Sequence, residues 1–242
     1  MARRNSRKHR LPPFEHSGIL LVDKPKEWTS HDVVNLVKCR FNVKVGHCGT
    51  LDPAASGLLV LVLGKATKLS SELSGSDKVY EGTILLGTET DSHDMEGNVV
   101  AEKDSSFLTE ESVKTVIDSF LGEQEQIPPM FSAVKKDGKK LYELAREGKV
   151  IEREPREIKI LSLDILKFHL PKVDFRVKCS KGTFVRTLCS DIGIKLEVGA
   201  VLFDLRRTAS GEFKLEDAVS VENIKEWTQD DLLEAIKKYT TI

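Results

Sequence analysis

One aspartate in a short glycine-rich loop is the first candidate for chemistry, in the stretch VGHCGTLDPAASG at residues 45–57. Asp52 precedes a proline and is flanked by glycines, so its carboxylate is held stiffly and the nearby backbone can approach a ligand closely. Such a group could be a nucleophile, a general base or a turn cap, and spacing alone favours the cap. Glycosidase chemistry needs a second carboxylate, and none is nearby in sequence. His47 and Cys48 are too few ligands for a metal.

Other polar and aromatic side chains could join a site from distant parts of the chain. His47 could orient a substrate or insert into a stack of bases, and Tyr80 in KVYEG could stack on a base. A loop histidine without function and a half-buried strand aromatic are the plainer alternatives. Arg186 lies near a predicted helix N-terminus, where the dipole does not favour it, so we expect a carboxylate or phosphate to hold it. The acids of TDSHDMEG lack calcium-loop spacing, and a hairpin turn explains them better.

The apolar pattern predicts the elements that position these residues. GILLVDKP predicts a strand that ends at Pro25, and Ser30 is the predicted N-cap of the helix that follows. GLLVLVLG, directly after the Asp52 loop, is apolar throughout and predicts a strand buried on both faces. GTFVRTLCSDIGIKL predicts the helix that carries Arg186. Strands and helices do not alternate as in a doubly wound sheet, so we predict an α+β fold with a mixed, largely antiparallel sheet flanked by helices.

Composition and charge exclude several classes of protein. The 242 residues are 40% hydrophobic and 31% charged, as in a soluble globular protein, and no apolar run approaches the roughly 20 residues that span a bilayer. The N-terminus lacks the apolar core of a secretory signal, and the four scattered cysteines predict core residues in a cytoplasmic protein. Residues 1–10 carry five Lys/Arg and no acid, and residues 135–159 carry nine against six acids, an electrostatic pattern suited to nucleic acid or to a solvated surface.

Six segments, in this order and at these separations, resemble the TruB family of tRNA pseudouridine synthases. They are GILLVDKPKEWTSHDVV, GHCGTLDPAASGLL, DKVYEGTILLGTETDSHDMEG, QIPPMFSAVKKDGKKLYELAREG, CSKGTFVRTLCSDIG and LRRTASGEF. The resemblance covers about 18 to 220. It implies a pseudouridine synthase fold with a basic, flexible tail over 1–17, a catalytic domain over 18–220 with a thumb-like insertion near 123–154, and a short acidic C-terminal tail over 221–242 in place of a full PUA-type domain.

The resemblance also implies a reaction. The family cuts the bond from ribose to the glycosidic nitrogen of uridine in the T-loop of tRNA, at position 55, turns the base and rejoins it through a ring carbon. Nothing is added or lost, so neither a cofactor nor a metal is expected. The partner implied is the tRNA T-arm, with no membrane, no obligatory protein partner and a monomeric state.

By the same resemblance, Asp52 is the carboxylate that engages the ribose, either at the sugar carbon or by removing a sugar proton. Arg186 would pair with Asp52 and Tyr80 would stack on the target base, which must first flip out of its loop at a cost of a few kcal/mol. His47 would occupy the vacated space. The remaining residues expected to line the pocket or bind RNA are Phe184, Leu205, Lys24, Lys135, Lys136, Lys139 and Lys140.

Two other functions stay open on the sequence. One is an RNA-binding factor that helps tRNA to fold without catalysis, although Asp52, Tyr80 and Arg186 together speak against a purely non-catalytic role. The other is a synthase of the same fold that acts on a different RNA.

Overall fold

The computed structural model describes residues 12–132, 134–136, 138–149 and 151–239, without the side chains of Lys135, Lys136, Lys140 and Arg146. The chain forms two compact units. The first unit runs to Ser76 and resumes at Arg207, and the second spans Asp77–Arg206. None of the helices within these described ranges is long and apolar enough to cross a membrane.

The N-terminal part of the first unit is built around one fully buried strand. Its elements are β1 (Gly18–Lys24), α1 (Ser30–Phe41), β2 (Val45–His47), β3 (Ser56–Leu63), a 3-10 helix (Gly64–Leu69) and α2 (Ser70–Ser74). Every residue of β3 is buried, as its unbroken apolar run predicted. β1 and β2 both pair with β3 in antiparallel register.

The start of α1 corrects one detail of the sequence interpretation. Thr29, not Ser30, is the N-cap, because its hydroxyl accepts from the backbone N–H of Asp32 while the Asp32 carboxylate accepts from the N–H of Thr29. Ser30 is the first helical residue, and its buried hydroxyl is thereby free to contact another part of the chain.

The second unit contains an antiparallel sheet in the order β4-β11-β10-β7. Its elements are β4 (Lys78–Leu86), β5 (Thr88–Thr90), β6 (Val99–Glu102), α3 (Glu110–Asp118), β7 (Gly122–Gln126), β8 (Lys135–Lys136), β9 (Lys139–Lys140), α4 (Leu141–Arg146), β10 (Arg156–His169), β11 (Lys172–Cys179), α5 (Val185–Lys195) and the first part of β12 (Ala200–Ser210). The β5–β6 hairpin confirms the turn predicted for the acidic segment. The predicted α+β fold is confirmed.

The insertion starts later than predicted. Gln126 pairs with Arg156 and Gly122 with Ile160, so β7 is an edge strand of the sheet and belongs to the fold itself. The excursion therefore begins after Gln126 instead of near residue 123.

Both predicted tails are wrong in part. The C-terminal part of the first unit adds β13 (Phe213–Lys214), a 3-10 helix (Leu215–Asp217), β14 (Val219–Ser220), α6 (Val221–Glu226) and α7 (Gln229–Lys237). These two helices bury Val221, Ile224, Leu232 and Ile236 in the core formed with β1, β3 and α1. At the other end, Phe14 is buried and its N–H donates to the Phe41 carbonyl at 3.2 Å, while residues 1–11 lie outside the described part of the chain.

Candidate active site

Successive backbone carbonyls of the loop that carries Asp52 accept hydrogen bonds. The guanidinium of Arg207 donates to the carbonyls of Gly49 at 3.0 Å and Thr50 at 3.5 Å. The Ser30 hydroxyl donates to the Leu51 carbonyl at 2.9 Å and accepts from the Leu51 N–H at 2.8 Å. Among the described residues no strand pairs with Gly49–Leu51, so side chains supply the hydrogen bonds that a sheet would otherwise provide.

The second half of the same loop is fixed in the same way. The Asp52 carbonyl accepts from the Ala55 N–H at 3.1 Å, and the Pro53 carbonyl accepts from the Glu27 N–H at 2.8 Å. Each carbonyl from Gly49 to Pro53 thus has a donor. The side chain of Leu51 is buried while that of Asp52 is exposed. A rigid loop therefore presents a carboxylate to whatever binds beside it, which turn capping alone would not require.

Lys24 corrects one of the expected RNA contacts. Its side chain has no exposed surface, and its ammonium donates to the carbonyls of Pro25, Trp28 and Pro53 at 2.9, 2.7 and 3.4 Å. A buried ammonium with these partners has no access to an RNA phosphate, so the expectation of RNA binding is wrong for this residue. Lys24 instead ties the end of β1 to the loop that carries Asp52.

His47 lies at the end of β2, half-buried, five residues before Asp52. Burial, followed by the positive charges of Arg207 and His31, lowers the pKa of His47. Its imidazole is therefore neutral at pH 7. Its Nδ1 is buried without a hydrogen-bond partner in the described residues. A neutral ring of this kind suits insertion into a base stack, because no charge has to be desolvated there.

Arg186, in the first turn of α5, is held by an acid that the sequence interpretation passed over. Its Nη1 lies 3.1 Å from Oδ2 of Asp94, and both side chains are buried. Its Nη2 donates to the Phe131 carbonyl at 2.6 Å. The expected carboxylate partner near the helix N-terminus is thus present, in the hairpin loop between β5 and β6. That loop was correctly predicted as a turn, but 92 residues of separation gave no local sign of the pair.

The Asp94 loop is itself fixed by short-range bonds. Oδ1 of Asp94 accepts from the Ser92 hydroxyl at 2.5 Å and from the Glu96 N–H at 3.1 Å. His93 lies between these groups in the left-handed region, with φ of 67°. Burial, followed by the positive charges of Arg186 and Arg153, lowers the pKa of His93. The guanidinium of Arg186 is therefore paired with Asp94, and its positive charge lowers the pKa of the neighbouring His93.

Two expected pocket residues lie on neighbouring strands of the second unit. Tyr80 is buried on β4, and Leu205 is half-buried on the part of β12 that pairs with it. Between them, a Cβ at Gly82 would lie 2.7 Å from the Asp204 carbonyl and 2.9 Å from the Phe175 ring. Only glycine permits that approach, so Gly82 keeps the strand of Tyr80 against the strand of Leu205.

Phe184, the N-cap residue of α5, is fixed by a buried glutamine. The Gln126 amide accepts from the Phe184 N–H at 2.8 Å and donates to its carbonyl at 3.1 Å. Gln126 is the last residue of β7, at the point where the insertion begins. Both the start of α5 and the Arg186 side chain are therefore bonded to the segment that enters the insertion.

The predicted site residues fall into two groups. The first unit holds Asp52 and His47 on one fixed loop, and the second holds Tyr80, Phe184, Arg186 and Leu205. The predicted pairing of Arg186 with Asp52 joins the two groups and stays a prediction. Of the insertion lysines, Lys139 is exposed, whereas the side chains of Lys135, Lys136 and Lys140 lie outside the described structure.

A basic cavity of the first unit was not predicted. It has a volume of about 410 Å³ and is lined by Lys44, Lys65, Lys68 and His16, with Glu15 as its one acid. Lys44 directly precedes β2 and lies three residues before His47, a span of at most roughly 10 Å. Scattered in sequence over residues 16 to 68, these charges form no run that a linear pattern would reveal.

Within the described residues, no three His, Cys, Asp or Glu side chains gather as a metal site requires. The cysteines are free thiols, and three of the four are buried, as expected for core residues. The groups available for chemistry are the exposed Asp52 carboxylate on its fixed loop, the neutral His47 and the buried pair of Arg186 and Asp94.

The fold and the matches to known families assign the protein to the class of pseudouridine synthases. A family model described as "TruB family pseudouridylate synthase (N terminal domain)" matches residues 36–185, and one described as "tRNA pseudouridylate synthase B C-terminal domain" matches residues 186–239. The chain belongs to the TruB family. The second match includes residues 221–239, which agrees with their place in the folded core.

Curated relatives and solved structures agree with this assignment. The tRNA pseudouridine synthase B of Opitutus terrae is 49% identical over 215 residues, which is 88% of this chain and 89% of the relative. That of Clostridium tetani is 45% identical over 93% of this chain and 80% of the relative. Among solved structures, a Cbf5–Nop10–Gar1 complex matches with a TM-score of 0.71 and 32% identity over 93% of this chain. This chain spans 59% of the length of that solved chain.

Proposed function

We propose that this chain isomerises uridine to pseudouridine in the T-loop of tRNA, at position 55. The observation that carries the proposal is the Asp52 loop, in which every carbonyl from Gly49 to Pro53 is bonded while the Asp52 carboxylate stays exposed. Catalysis by one carboxylate depends on fixed geometry, and this loop is fixed before any substrate binds. The identity of 43–49% to proteins named tRNA pseudouridine synthase B supports tRNA as the substrate.

In the proposed mechanism, the target uridine leaves its loop and enters the pocket. Tyr80 stacks on the base, Phe184 and Leu205 line the pocket, and the neutral ring of His47 fills the vacated space. Asp52 then engages the ribose while the bond to the glycosidic nitrogen breaks, and the same base returns to the same sugar through a ring carbon. The hydrogen on that carbon is then released to water, and the former glycosidic nitrogen takes up a proton. Because the base does not leave the enzyme, one carboxylate serves both halves of the reaction.

We propose that Arg186 supplies the positive charge that this step needs. Its ion pair with Asp94 and its bond to the Phe131 carbonyl fix the guanidinium in one orientation. In a closed pocket of low dielectric, an arginine oriented in this way stabilises an ionised carboxylate. The proposed pairing of Arg186 with Asp52 would use it in this way.

We also propose that the partner is the T-arm of tRNA, bound by a monomer in the cytoplasm without an obligatory protein partner. Lys139 in the insertion and the lysines of the basic cavity are exposed cations of the kind that bind RNA phosphates. Size-exclusion chromatography of the pure protein with and without tRNA tests this, since a one-to-one active complex is expected.

The deciding experiment is an Asp52→Asn substitution. With tRNA whose uridines carry tritium on the ring carbon that joins the sugar, we expect the wild type to release tritium and the variant to release none while binding the same tRNA. Asp230→Asn is the matched control, because Asp230 is exposed on α7 of the same unit. Full activity of Asp52→Asn would overturn the proposal.

The target is tested separately. We expect mapping of pseudouridine in total RNA, with and without the protein, to show one change at position 55 of tRNAs. Changes confined to another RNA would leave the catalytic proposal intact and replace its substrate.

A further inference from the structure

Arg207 is a fully buried cation whose partners are main-chain carbonyls. Its side chain is 1% exposed, and Nε donates to the Leu58 carbonyl at 2.7 Å, Nη2 to Gly49 at 3.0 Å and Nη1 to Thr50 at 3.5 Å. Within the described part of the chain, no carboxylate pairs with it. An arginine does not lose its proton, and burying a charge without an opposite charge is costly. Such a residue requires a reason that packing alone does not give.

The geometry of the guanidinium supplies the first part of that reason. The Nε of the planar guanidinium donates to the carbonyl of Leu58, near the start of the buried strand β3. Its two Nη atoms donate to the carbonyls of Gly49 and Thr50 in the loop. A lysine ammonium is a single point and cannot span both edges. Arg207 therefore fixes the distance between β3 and residues Gly49–Thr50, which lie directly before Leu51 and Asp52.

The electrostatic surroundings of His47 supply the second part. After burial, the positive charge of Arg207 is the largest cause that lowers the pKa of His47, so its field reaches this side chain. The other charged group facing His47 is His31, of smaller effect. The buried positive charge of Arg207 thus acts on His47, five residues before Asp52.

We propose that Arg207 is a positioning residue for Asp52, which it serves by holding two loop carbonyls and by placing a buried positive charge behind the loop. It rests on the proposed function in that Asp52 is taken as the catalytic carboxylate. Arg207 is the first residue of the C-terminal part of the first unit, so the segment LRRTASGEF acquires a role that is distinct from lining the pocket with Leu205.

Three variants separate the two actions of this arginine. Arg207→Gln removes the charge and part of the fork, Arg207→Lys keeps the charge without the fork, and Arg40→Gln is the matched control. Arg40 also donates through Nε and Nη2 to one carbonyl, that of Trp227, at 3.0 and 2.6 Å in the same unit, but away from the loop. Each variant is tested for single-turnover conversion at saturating tRNA, for tRNA affinity and for the NMR titration of His47.

We expect Arg207→Gln to slow single-turnover conversion about 100-fold with tRNA affinity unchanged, because the carboxylate is displaced while the RNA surface is intact. The His47 titration should move to higher pH in Arg207→Gln and stay in place in Arg207→Lys, which a purely structural role would not produce. Arg40→Gln should convert tRNA at the wild-type rate. Wild-type conversion by Arg207→Gln, a loss confined to tRNA affinity, or an equal loss in Arg40→Gln would overturn the proposal.

Two further readouts keep the test decisive. If Arg207→Gln does not fold, Arg207→Lys carries the test, since it should convert tRNA more slowly with an unchanged His47 titration, and a wild-type rate would overturn the proposal. If the wild type does not modify tRNA, the proposed function fails by itself. The claim that Arg207 fixes the loop is then tested by amide hydrogen exchange at Leu51. We expect this exchange to be faster in both Arg207 variants and unchanged in Arg40→Gln.

Discussion

Arg186 and Asp94 form a buried ion pair, with 3.1 Å between Nη1 and Oδ2 and side chains that are 8% and 9% exposed. The pair joins the first turn of α5 to the hairpin loop of β5 and β6. Burying both charges has a cost that only good geometry offsets, so the pair orients the guanidinium more than it stabilises the fold. The guanidinium of Arg186 is therefore already oriented before a substrate or another carboxylate binds to it.

Asp94→Asn therefore has a clear expected result. The amide keeps the shape of the carboxylate but removes the negative charge that orients Arg186, so single-turnover conversion of tRNA should fall by about 10- to 100-fold. The free energy of unfolding should fall by about 1–3 kcal/mol in urea denaturation, as when a buried hydrogen-bonding partner of a charged group is lost.

The control for this pair is an exposed one in the same unit. Lys114 and Asp118 lie 3.0 Å apart on α3, with 63% and 45% of their side chains exposed. Asp118→Asn should change stability by less than about 1 kcal/mol and leave conversion intact. If Asp94→Asn behaved like Asp118→Asn, the orienting role of Asp94 would be refuted.

Ser30→Ala tests whether the hydrogen bonds to Leu51 fix the loop that carries Asp52. The substitution removes one hydroxyl that serves both the N–H and the carbonyl of Leu51. Two buried backbone groups lose their partner, so we expect the free energy of unfolding to drop by about 1–3 kcal/mol and conversion to slow, because Asp52 follows Leu51 directly. Urea denaturation and single-turnover assays measure the two effects.

A serine with a comparable structural role supplies the comparison. The Ser220 hydroxyl caps α6 by accepting from the Asn223 N–H at 3.2 Å. Ser220→Ala should cost about 1 kcal/mol of stability and leave the conversion rate unchanged. Equal slowing in both variants would mean that lost stability, and not the geometry of the loop, sets the rate.

Much of the fold followed from local pattern. The unbroken apolar run of β3 and the apolar positions of α5 predicted those elements, since burial leaves its period in the sequence. The candidate site followed only in part. Asp52 stood out because proline and glycines surround it in sequence. By contrast, Arg207 binds a carbonyl that is 158 residues away in sequence, and Asp94 pairs with an arginine that is 92 residues away. Long-range pairs of this kind leave no local pattern.

The C-terminal segment shows a second limit. Its eight acids from residue 212 onward suggested a solvated tail. Its apolar residues are few, but Leu232 and Ile236 are four apart on one face of α7, and both are fully buried. Close packing confirms the contact, because a Cβ at Gly18 in β1 would lie 3.0 Å from Cβ of Ile236. Net charge describes the outer face of such a helix and not the face that packs.

The basic cavity predicts a part of RNA binding that does not involve the insertion. Reversing two of its charges with Lys65→Glu and Lys68→Glu should weaken tRNA affinity and reduce the slope of affinity against salt by about two phosphates, with conversion at saturating tRNA little changed. The matched control reverses Lys237 and Lys238 near the end of α7, which changes net charge equally. Filter binding at several salt concentrations measures both, and equal slopes for the two double variants would exclude the cavity as an RNA contact.

Asp191 on α5 predicts a pH-dependent term in stability. Burial raises the pKa of its carboxyl to about 6. Because this value lies above that of the unfolded chain, the folded protein binds the proton more tightly. The stabilising contribution is therefore full below the ordinary value of 3.8 and is lost progressively as the pH rises from there through about 6. Asp191→Asn should raise the melting temperature at pH 8 by roughly 2 °C and by about half as much at pH 5, because the carboxyl of the unfolded chain, with its ordinary pKa of 3.8, is already ionised at pH 5.

The control is Glu234→Gln, an exposed acid on α7, which should leave the melting temperature unchanged at both pH values. Differential scanning calorimetry of the three proteins measures the effect. A stabilisation of Asp191→Asn that is equal at pH 5 and pH 8 would assign it to packing instead of to the carboxylate charge. A destabilisation at pH 8 would mean that the ionised carboxylate has a favourable partner in the folded state, and the sign of the argument would be reversed.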